Sequence, residues 1–235
     1  MFRFIKRWLP SKEEASSPGR LLSQSITLMR REYQGEPFSE ELAESHPVDQ
    51  FEIWFDDAVR TEKFDPNAMT LSTAGESGTP TARVVLLKEY DKTGFVFYTS
   101  YESRKAKDLV QNPAASLNFF WPDLIRQVHI EGTVEKVPRE MSAAYFSKRP
   151  RASQLSALAS SQSEPVSSRG ELEQKVKALD EKFAGKEIPL PPNWGGYRLK
   201  PTRFEFWQGR VNRLHDRICY TKSDNDIWSI IRLSP

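Results

Sequence analysis

From Ala68 to Val137 the chain repeats one kind of unit, a short run of apolar, β-branched or aromatic residues closed by a turn signal. Ala68–Thr73 reads as a strand, Gly75–Pro80 as a turn and Thr81–Lys88 as the next strand. Asp91-Lys92-Thr93-Gly94 turns the chain into Phe95–Ser100, and strands at Ala115–Trp121 and Arg126–Val137 follow. Spacing this tight favours hairpins over the crossover helices that parallel pairing needs. The expected fold is therefore mainly β with peripheral helices, an antiparallel barrel or sandwich. Val84-Val85-Leu86-Leu87 is a continuous apolar run, which predicts a strand buried on both faces with Arg83 and Lys88 emerging at its ends.

Helical patterns flank this centre. After Pro47, the apolar residues Phe51, Trp54, Phe55, Ala58 and Val59 recur at helical spacing and predict an amphipathic helix whose aromatics are core. Arg139–Arg149 predicts a second helix, because Pro150 disfavours the helical conformation in the residue before it. A short helix from Arg151 and a polar loop over Ser160–Arg169 come next. Leu172, Val176, Leu179 and Phe183 mark a further helix that stops at Gly185. Arg203–Trp207 alternates as a half-buried strand does, and Ile218–Lys222 with Ile227–Leu233 predicts a closing hairpin around Ser223–Asp226. The organisation expected is a mobile N-terminal arm over residues 1–28, rich in small and polar residues, followed by one domain over 29–235.

Composition narrows the function classes. Lys plus Arg (34) nearly balances Asp plus Glu (32), so a net charge of +2 exerts no global pull on nucleic acid and any anion site must come from local clusters. The single cysteine, Cys219, cannot form an internal disulfide, which fits a reducing compartment. No apolar run is long enough to span a bilayer. Met1–Leu9 is basic and amphipathic, but Glu13 and Glu14 follow almost at once, so an ordinary frayed terminus and a cytoplasmic location are expected ahead of a mitochondrial presequence. Three histidines and one cysteine offer no zinc-ligand spacing, and neither of the common glycine-rich phosphate loops is present.

Four local clusters carry the chemistry. In Ser103-Arg104-Lys105 a serine at a helix start is followed by two cations in the first turn, against the helix dipole. A bound phosphate reverses that balance by using both side chains and the free backbone N–H groups; long side chains bending into water are the bland alternative. Tyr145 and Arg149 lie four apart on one helix face with Ser153 just beyond, a second set able to hold phosphate, although helix surfaces commonly carry such residues. Around Trp207 and Gly209–Asn212 the chain reads as strand, turn, strand. If Arg213–Cys219 is extended, Arg213, His215 and Arg217 share one face while Leu214 and Ile218 take the other. Two guanidiniums beside an imidazole make a wall for an anionic ligand, and a solvated outer face is the alternative. Met29-Arg30-Arg31-Glu32-Tyr33 is a basic patch with one aromatic, which from the residues alone is a helix end with exposed arginines.

Several separated motifs add a resemblance to these readings: Arg30-Arg31-Glu32-Tyr33, Arg83–Lys88, Tyr98-Thr99 with Glu102–Lys105, Arg126-Gln127-Val128, Tyr145–Pro150, Gln162-Ser163, Trp194–Tyr197 and Phe206–Arg217. In this order they closely resemble the pyridoxine (pyridoxamine) 5′-phosphate oxidases, from about Met29 to the C-terminus. The resemblance implies a homodimer of antiparallel Greek-key split barrels with FMN at the subunit interface. It implies that FMN is held by Arg83, Val84, Val85, Leu86, Tyr98 and Thr99, with Arg104, Lys105 and Gln127, and with Gln162, Ser163, Trp207 and Arg217, drawn from both subunits. The substrate phosphate falls to Lys88, Tyr145, Arg149 and Ser153. Arg213, Leu214 and His215 lie at the substrate, with Arg213 and His215 beside its ring as the residues nearest the chemistry, and Arg30, Arg31, Glu32 and Tyr33 form a cover over it. The implied reaction converts pyridoxine or pyridoxamine 5′-phosphate to pyridoxal 5′-phosphate, passing a hydride from C4′ to flavin N5 and on to O2, which leaves as H2O2. No nucleic acid or membrane partner and no metal are implied. The departures are small: Ser100 where many relatives have asparagine, and Ser234 where alanine often precedes the terminal proline.

Two other functions stay open at this level. A split-barrel flavoprotein with a different substrate has no need for Lys88, Tyr145, Arg149, Arg213 and His215 together. A carrier that stores the cofactor or product needs the same pocket and is separated only by turnover. A nucleic-acid module is disfavoured by the balanced charge and by aromatics at core periods.

Overall fold

The computed structural model describes residue 26 and residues 31–235. Apart from residue 26, the expected N-terminal arm lies outside the described residues, and Arg30 with it. No described helix is long and apolar enough to cross a membrane.

Nine strands form one curled antiparallel sheet, a split barrel, and five helices pack around it among the described residues. Helix α1 (Pro47–Thr61) starts with proline in its first turn, where a missing N–H costs nothing, and His46 Nδ1 accepts from Val48 N at 3.2 Å. Its apolar stripe carries Phe51, Trp54 and Ala58 into the sheet, all at most 3% exposed. Val59, expected in that stripe, is 55% exposed because it falls just off the buried arc. Phe51 sits at the centre of the core, its ring about 5 Å from those of Phe95 and Phe119.

The strands are β1 (Ala68–Ala74), β2 (Pro80–Leu86), β3 (Glu89–Asp91), β4 (Gly94–Ser100), β5 (Ala114–Trp121), β6 (Arg126–Lys136), β7 (Trp194–Gln208), β8 (Asp216–Lys222) and β9 (Trp228–Arg232). The order β2-β1-β5-β6-β7-β4-β3 is antiparallel throughout. Strand β7 is far longer than the predicted Arg203–Trp207 and acts as the spine. Its first part pairs with β4, its last part pairs with β8 on that same edge, and β6 runs along the other edge. Helices α2 (Arg104–Gln111), α3 (Arg139–Lys148), α4 (Arg151–Ala159) and α5 (Arg169–Lys182) lie where their patterns predict them.

Burial on both faces of β2 is not what the structure has. Val84 is 67% and Leu86 38% exposed, since β2 is the sheet's edge strand and only one of its faces meets the chain's own core. On β6, β7 and β8 the core face carries Val128, Ile130, Phe204, Phe206, Ile218 and Tyr220, and the opposite face carries Gln127, His129, Glu131, Arg203, Glu205, Trp207 and Arg217. That second face is held by ion pairs, Arg203 to Glu131 at 2.7 Å and to Glu205 at 3.0 Å.

Candidate active site

A cavity of about 670 Å³ opens against β2 and β4 where α2, α3 and α4 approach them. Arg83, Val84, Val85, Leu86 and Lys88 line it from β2 and its exit, Tyr98 and Thr99 from β4, and Lys105 from α2. Tyr145, Lys148 and Arg149 come from α3 and its end, Ser153 from α4, and Pro150, Gln162 and Trp194 complete the wall. Of the two phosphate sets expected from spacing, Lys105 from the first and Tyr145, Arg149 and Ser153 from the second line this one cavity.

Lys105 anchors the first set. It is only 8% exposed, and its Nζ donates to Gln162 Oε1 at 2.9 Å and to Thr99 Oγ1 and Ser103 Oγ, each at 3.2 Å. None of these partners is a carboxylate. Burial, and then the neighbouring Arg83 charge, push its pKa down to about 8. Ser103 stands at the N-cap of α2 but turns its hydroxyl to Ser100 O at 2.8 Å, so the helix start has no side-chain cap. A buried ammonium and a guanidinium lining one cavity match the donor chemistry of a phosphate.

The second set is built on an aromatic stack. Tyr98 and Tyr145 lie 4.0 Å apart at 14°, and Trp194 stacks beside Tyr98 at 5.5 Å and 10°. The Arg149 guanidinium covers the Trp194 ring at 4.7 Å, and its Nη1 is buried without a hydrogen-bond partner. An orphaned cationic donor is costly, and an anion's oxygens would satisfy it. Burial raises the Tyr145 and Tyr98 pKa values, so both phenols are donors near neutrality.

The remaining expected residues lie elsewhere. Gln127, Trp207 and Arg217 form one cross-strand row on the polar face of β6, β7 and β8. Arg217 is clamped, its Nε donating to Glu205 Oε1 at 2.8 Å and its Nη1 to Ser234 O at 2.7 Å. Tyr33 packs edge-on to Trp207 at 5.8 Å and near His215 at 5.6 Å, while Trp207 and His215 are 4.7 Å apart. Trp207 stands eleven residues beyond Gly196, the partner of Tyr98, so roughly 36 Å of strand path separates the row from the cavity.

The condition that Arg213–Cys219 is extended throughout is not met. Val211–Arg213 forms a 3-10 turn with Asn212 at φ 54° and Arg213 at φ 60°, and β8 begins only at Asp216. Arg213 ends the turn and His215 lies in the link to β8, so neither shares a strand face with Arg217, and Leu214 is 69% exposed. The Asp216 carboxylate accepts from Phe38 N at 3.1 Å and Arg232 Nη1 at 2.7 Å and makes no hydrogen bond with His215. His215 Nδ1 instead accepts from Arg210 N at 3.0 Å, which puts the neutral ring's proton on Nε2. Burial, then the Arg213 charge, lower its pKa. Gly35 makes this arrangement possible: its N–H donates to Gly209 O at 3.1 Å, and a Cβ there would fall 2.1 Å from Gln208 Nε2.

Arg104 and Ser163 are exposed and do not line the cavity, and Arg31 and Glu32 are exposed beside Tyr33. Trp194 lies in the cavity wall although the sequence offered it only as part of a Trp-Gly-Gly-Tyr motif; Lys148 and Pro150 carried no separate signal.

The chain is similar to known proteins along nearly its whole described length. The family model for pyridoxamine 5′-phosphate oxidase matches residues 55–183, and that for the pyridoxine 5′-phosphate oxidase C-terminal dimerisation region matches 194–235. The pyridoxine/pyridoxamine 5′-phosphate oxidase of Bordetella pertussis is 52% identical over 211 residues, 90% of this chain and 100% of that one. The enzyme of the same name from Rubrobacter xylanophilus is 50% identical over 88% of this chain and 95% of its own. Among solved structures, PhzG from Burkholderia lata in complex with tetrahydrophenazine-1-carboxylic acid aligns with a TM-score of 0.79 at 28% identity, covering 86% of this chain and 100% of that one. A pyridoxamine 5′-phosphate oxidase-related, FMN-binding protein from Nostoc punctiforme has the same fold, with a TM-score of 0.64 at 18% identity.

Proposed function

The chain belongs to the pyridoxine/pyridoxamine 5′-phosphate oxidase family, and from that premise we propose that its cavity and its Trp207 row are two halves of one kind of active site, each completed by a second copy of the chain. The protein is an oxidoreductase of vitamin B6 metabolism that forms pyridoxal 5′-phosphate from the pyridoxine and pyridoxamine phosphates. The observation that carries the composite site is the separation along β7. Tyr98, Lys105 and Arg149 lie at one end, Trp207 and Arg217 at the other, and the second group falls within the matched dimerisation region.

The flavin in this reading is FMN. The Arg83, Thr99, Lys105 and Gln162 cluster supports it, since a buried cation without a carboxylate partner suits a phosphate better than it suits an empty core. When bound, FMN supplies the two-electron acceptor for the substrate's C4′ hydride and hands the electrons to O2. The chain's own residues bind and orient. Lys88, Tyr145, Arg149 and Ser153 take the substrate phosphate, and the buried Arg149 Nη1 gains the acceptor it lacks. From the partner copy, Trp207 and Arg217 close on the flavin, and Arg213 and His215 reach the substrate ring, with Tyr33 covering it. Fixing both reactants in one dry cleft converts the transfer into a step between positioned groups. The division of one domain over 29–235 preceded by an arm belongs to this reading too.

The test is a visible absorption spectrum followed by anaerobic addition of pyridoxine 5′-phosphate. Flavin bands that bleach and return with air are expected. A flavin-loaded protein that neither phosphorylated vitamer bleaches would refute the activity.

A further inference from the structure

Arg83 lines the cavity with its guanidinium held by a set of hydrogen bonds. Its Nη1 donates to Thr73 Oγ1 at 2.7 Å and to Leu71 O at 3.2 Å, and its Nη2 donates to Thr81 Oγ1 at 2.5 Å. Both threonine hydroxyls in turn reach one carboxylate oxygen, Asp108 Oδ2, at 2.7 Å from Thr73 and 3.0 Å from Thr81. A guanidinium can only donate and an ionised carboxylate can only accept. The two hydroxyls between them are therefore oriented, with protons toward Asp108 and lone pairs toward Arg83. Thr73 is 2% exposed, and Asp108 stands 3.9 Å from Arg83 Nη2, too far for a direct hydrogen bond. Asp108 lies on α2 one turn beyond Lys105, so the relay also ties that helix to β1 and β2.

We propose that Asp108 is a positioning residue for the flavin phosphate: acting through Thr73 and Thr81, it fixes the direction in which Arg83 presents its guanidinium to the cavity. This rests on reading the cavity as the flavin site. Asp108 is itself an anion beside an anion site, and that makes the sign of its effect diagnostic. Charge alone predicts that Asp108→Asn strengthens flavin binding, because a nearby negative charge has been removed. Orientation predicts the reverse, because a neutral amide oxygen accepts from the two hydroxyls more weakly than the carboxylate does, and Arg83's acceptors are held less firmly.

The experiment titrates apoprotein with FMN and follows quenching of flavin fluorescence, for Asp108→Asn, Asp108→Glu, Thr73→Val, Thr81→Val, Arg83→Ala and the double variant Asp108→Asn/Thr73→Val. Asp108→Asn and Thr73→Val should each raise the FMN dissociation constant roughly tenfold, the worth of one charge-assisted hydrogen bond. The double variant should be little worse than either alone, since both break one relay. Asp108→Glu should recover part of the affinity, and the substrate KM at saturating FMN should stay unchanged. Unchanged or tighter FMN binding in Asp108→Asn and in both threonine variants overturns the proposal, as does a loss of affinity that merely follows apoprotein unfolding. If Asp108→Asn does not fold, the two valine variants decide it by the same criterion. Arg83→Ala separates the levels: if it binds FMN normally, the reading of the cavity fails, whereas weak binding by Arg83→Ala with normal binding by the relay variants sinks only the relay.

Discussion

Two arginines four residues apart stand in different settings, one on a turn and the other in a strand. Arg213 is on the 3-10 turn next to His215, whereas Arg217 is clamped between Glu205 and Ser234 in the row that contains Trp207. Arg213→Ala should therefore lower kcat/KM for pyridoxine 5′-phosphate by about 100-fold, the loss of a charged contact, with FMN affinity nearly unchanged. Arg217→Ala should instead raise the FMN dissociation constant; steady-state kinetics and flavin titration together read the split. Lys105 adds a pH dependence. Its folded pKa, lowered from 10.5 to about 8, means that apoprotein above that value offers a neutral amine to the phosphate. The unfolded chain holds this proton more tightly between about 8 and 10.5, so Lys105 makes apoprotein stability rise with pH across that window. FMN binding has the opposite sign: it needs the charged form, so the dissociation constant should climb above about pH 8 and flatten in Lys105→Met. Fluorescence titrations at several pH values check this.

At the scale of elements, α1 and the sheet share one aromatic core, and Phe51 is its keystone. Phe51→Ala should cost about 3–5 kcal/mol in urea unfolding, as large-to-small changes at fully buried aromatics do. The helices and most strands were legible because local periodicity decides them: Phe51, Trp54 and Ala58 read as a stripe and are one. What stayed illegible was set by contacts distant in sequence. Val84 and Leu86 look like core residues, and only the sheet order, with β2 at an edge, exposes them. The Arg213–His215 alternation failed because Asp216 is tied to Phe38 and Arg232, partners no local pattern reveals, and β8 starts there. Ordinary residue types also hid the Glu205 clamp and the Asp108 relay. The cavity residues on β2, β4, α2 and α3 were legible mostly as motifs resembling a family; unaided spacing reached only Lys105 with Arg104, and Tyr145 with Arg149 and Ser153.

The whole molecule explains why a chain with every required group still presents them in two places. One copy holds the cavity lined by Lys105 and Arg149, and the row around Trp207 sits far along the spine strand in the matched dimerisation region. The edge strand β2 places exposed Val84 and Leu86 beside that cavity, apolar surface of the kind that association covers. Val84→Asp should therefore shift the protein toward monomer and weaken FMN retention at once, read by sedimentation and by the flavin-to-protein absorbance ratio.

The most direct measurement mixes two crippled chains. Arg149→Ala damages only the cavity half, and Arg217→Ala only the half around Trp207. Co-expressed in equal amounts, they should pair at random, giving about half heterodimers, each with one site free of both substitutions, and hence about a quarter of wild-type activity per chain. Each variant alone should remain far below that level. Recovery to about a quarter would establish that one active site draws on two copies. No recovery, in a preparation where heterodimers are demonstrably present, would contradict it and place both groups of residues in the service of a single chain.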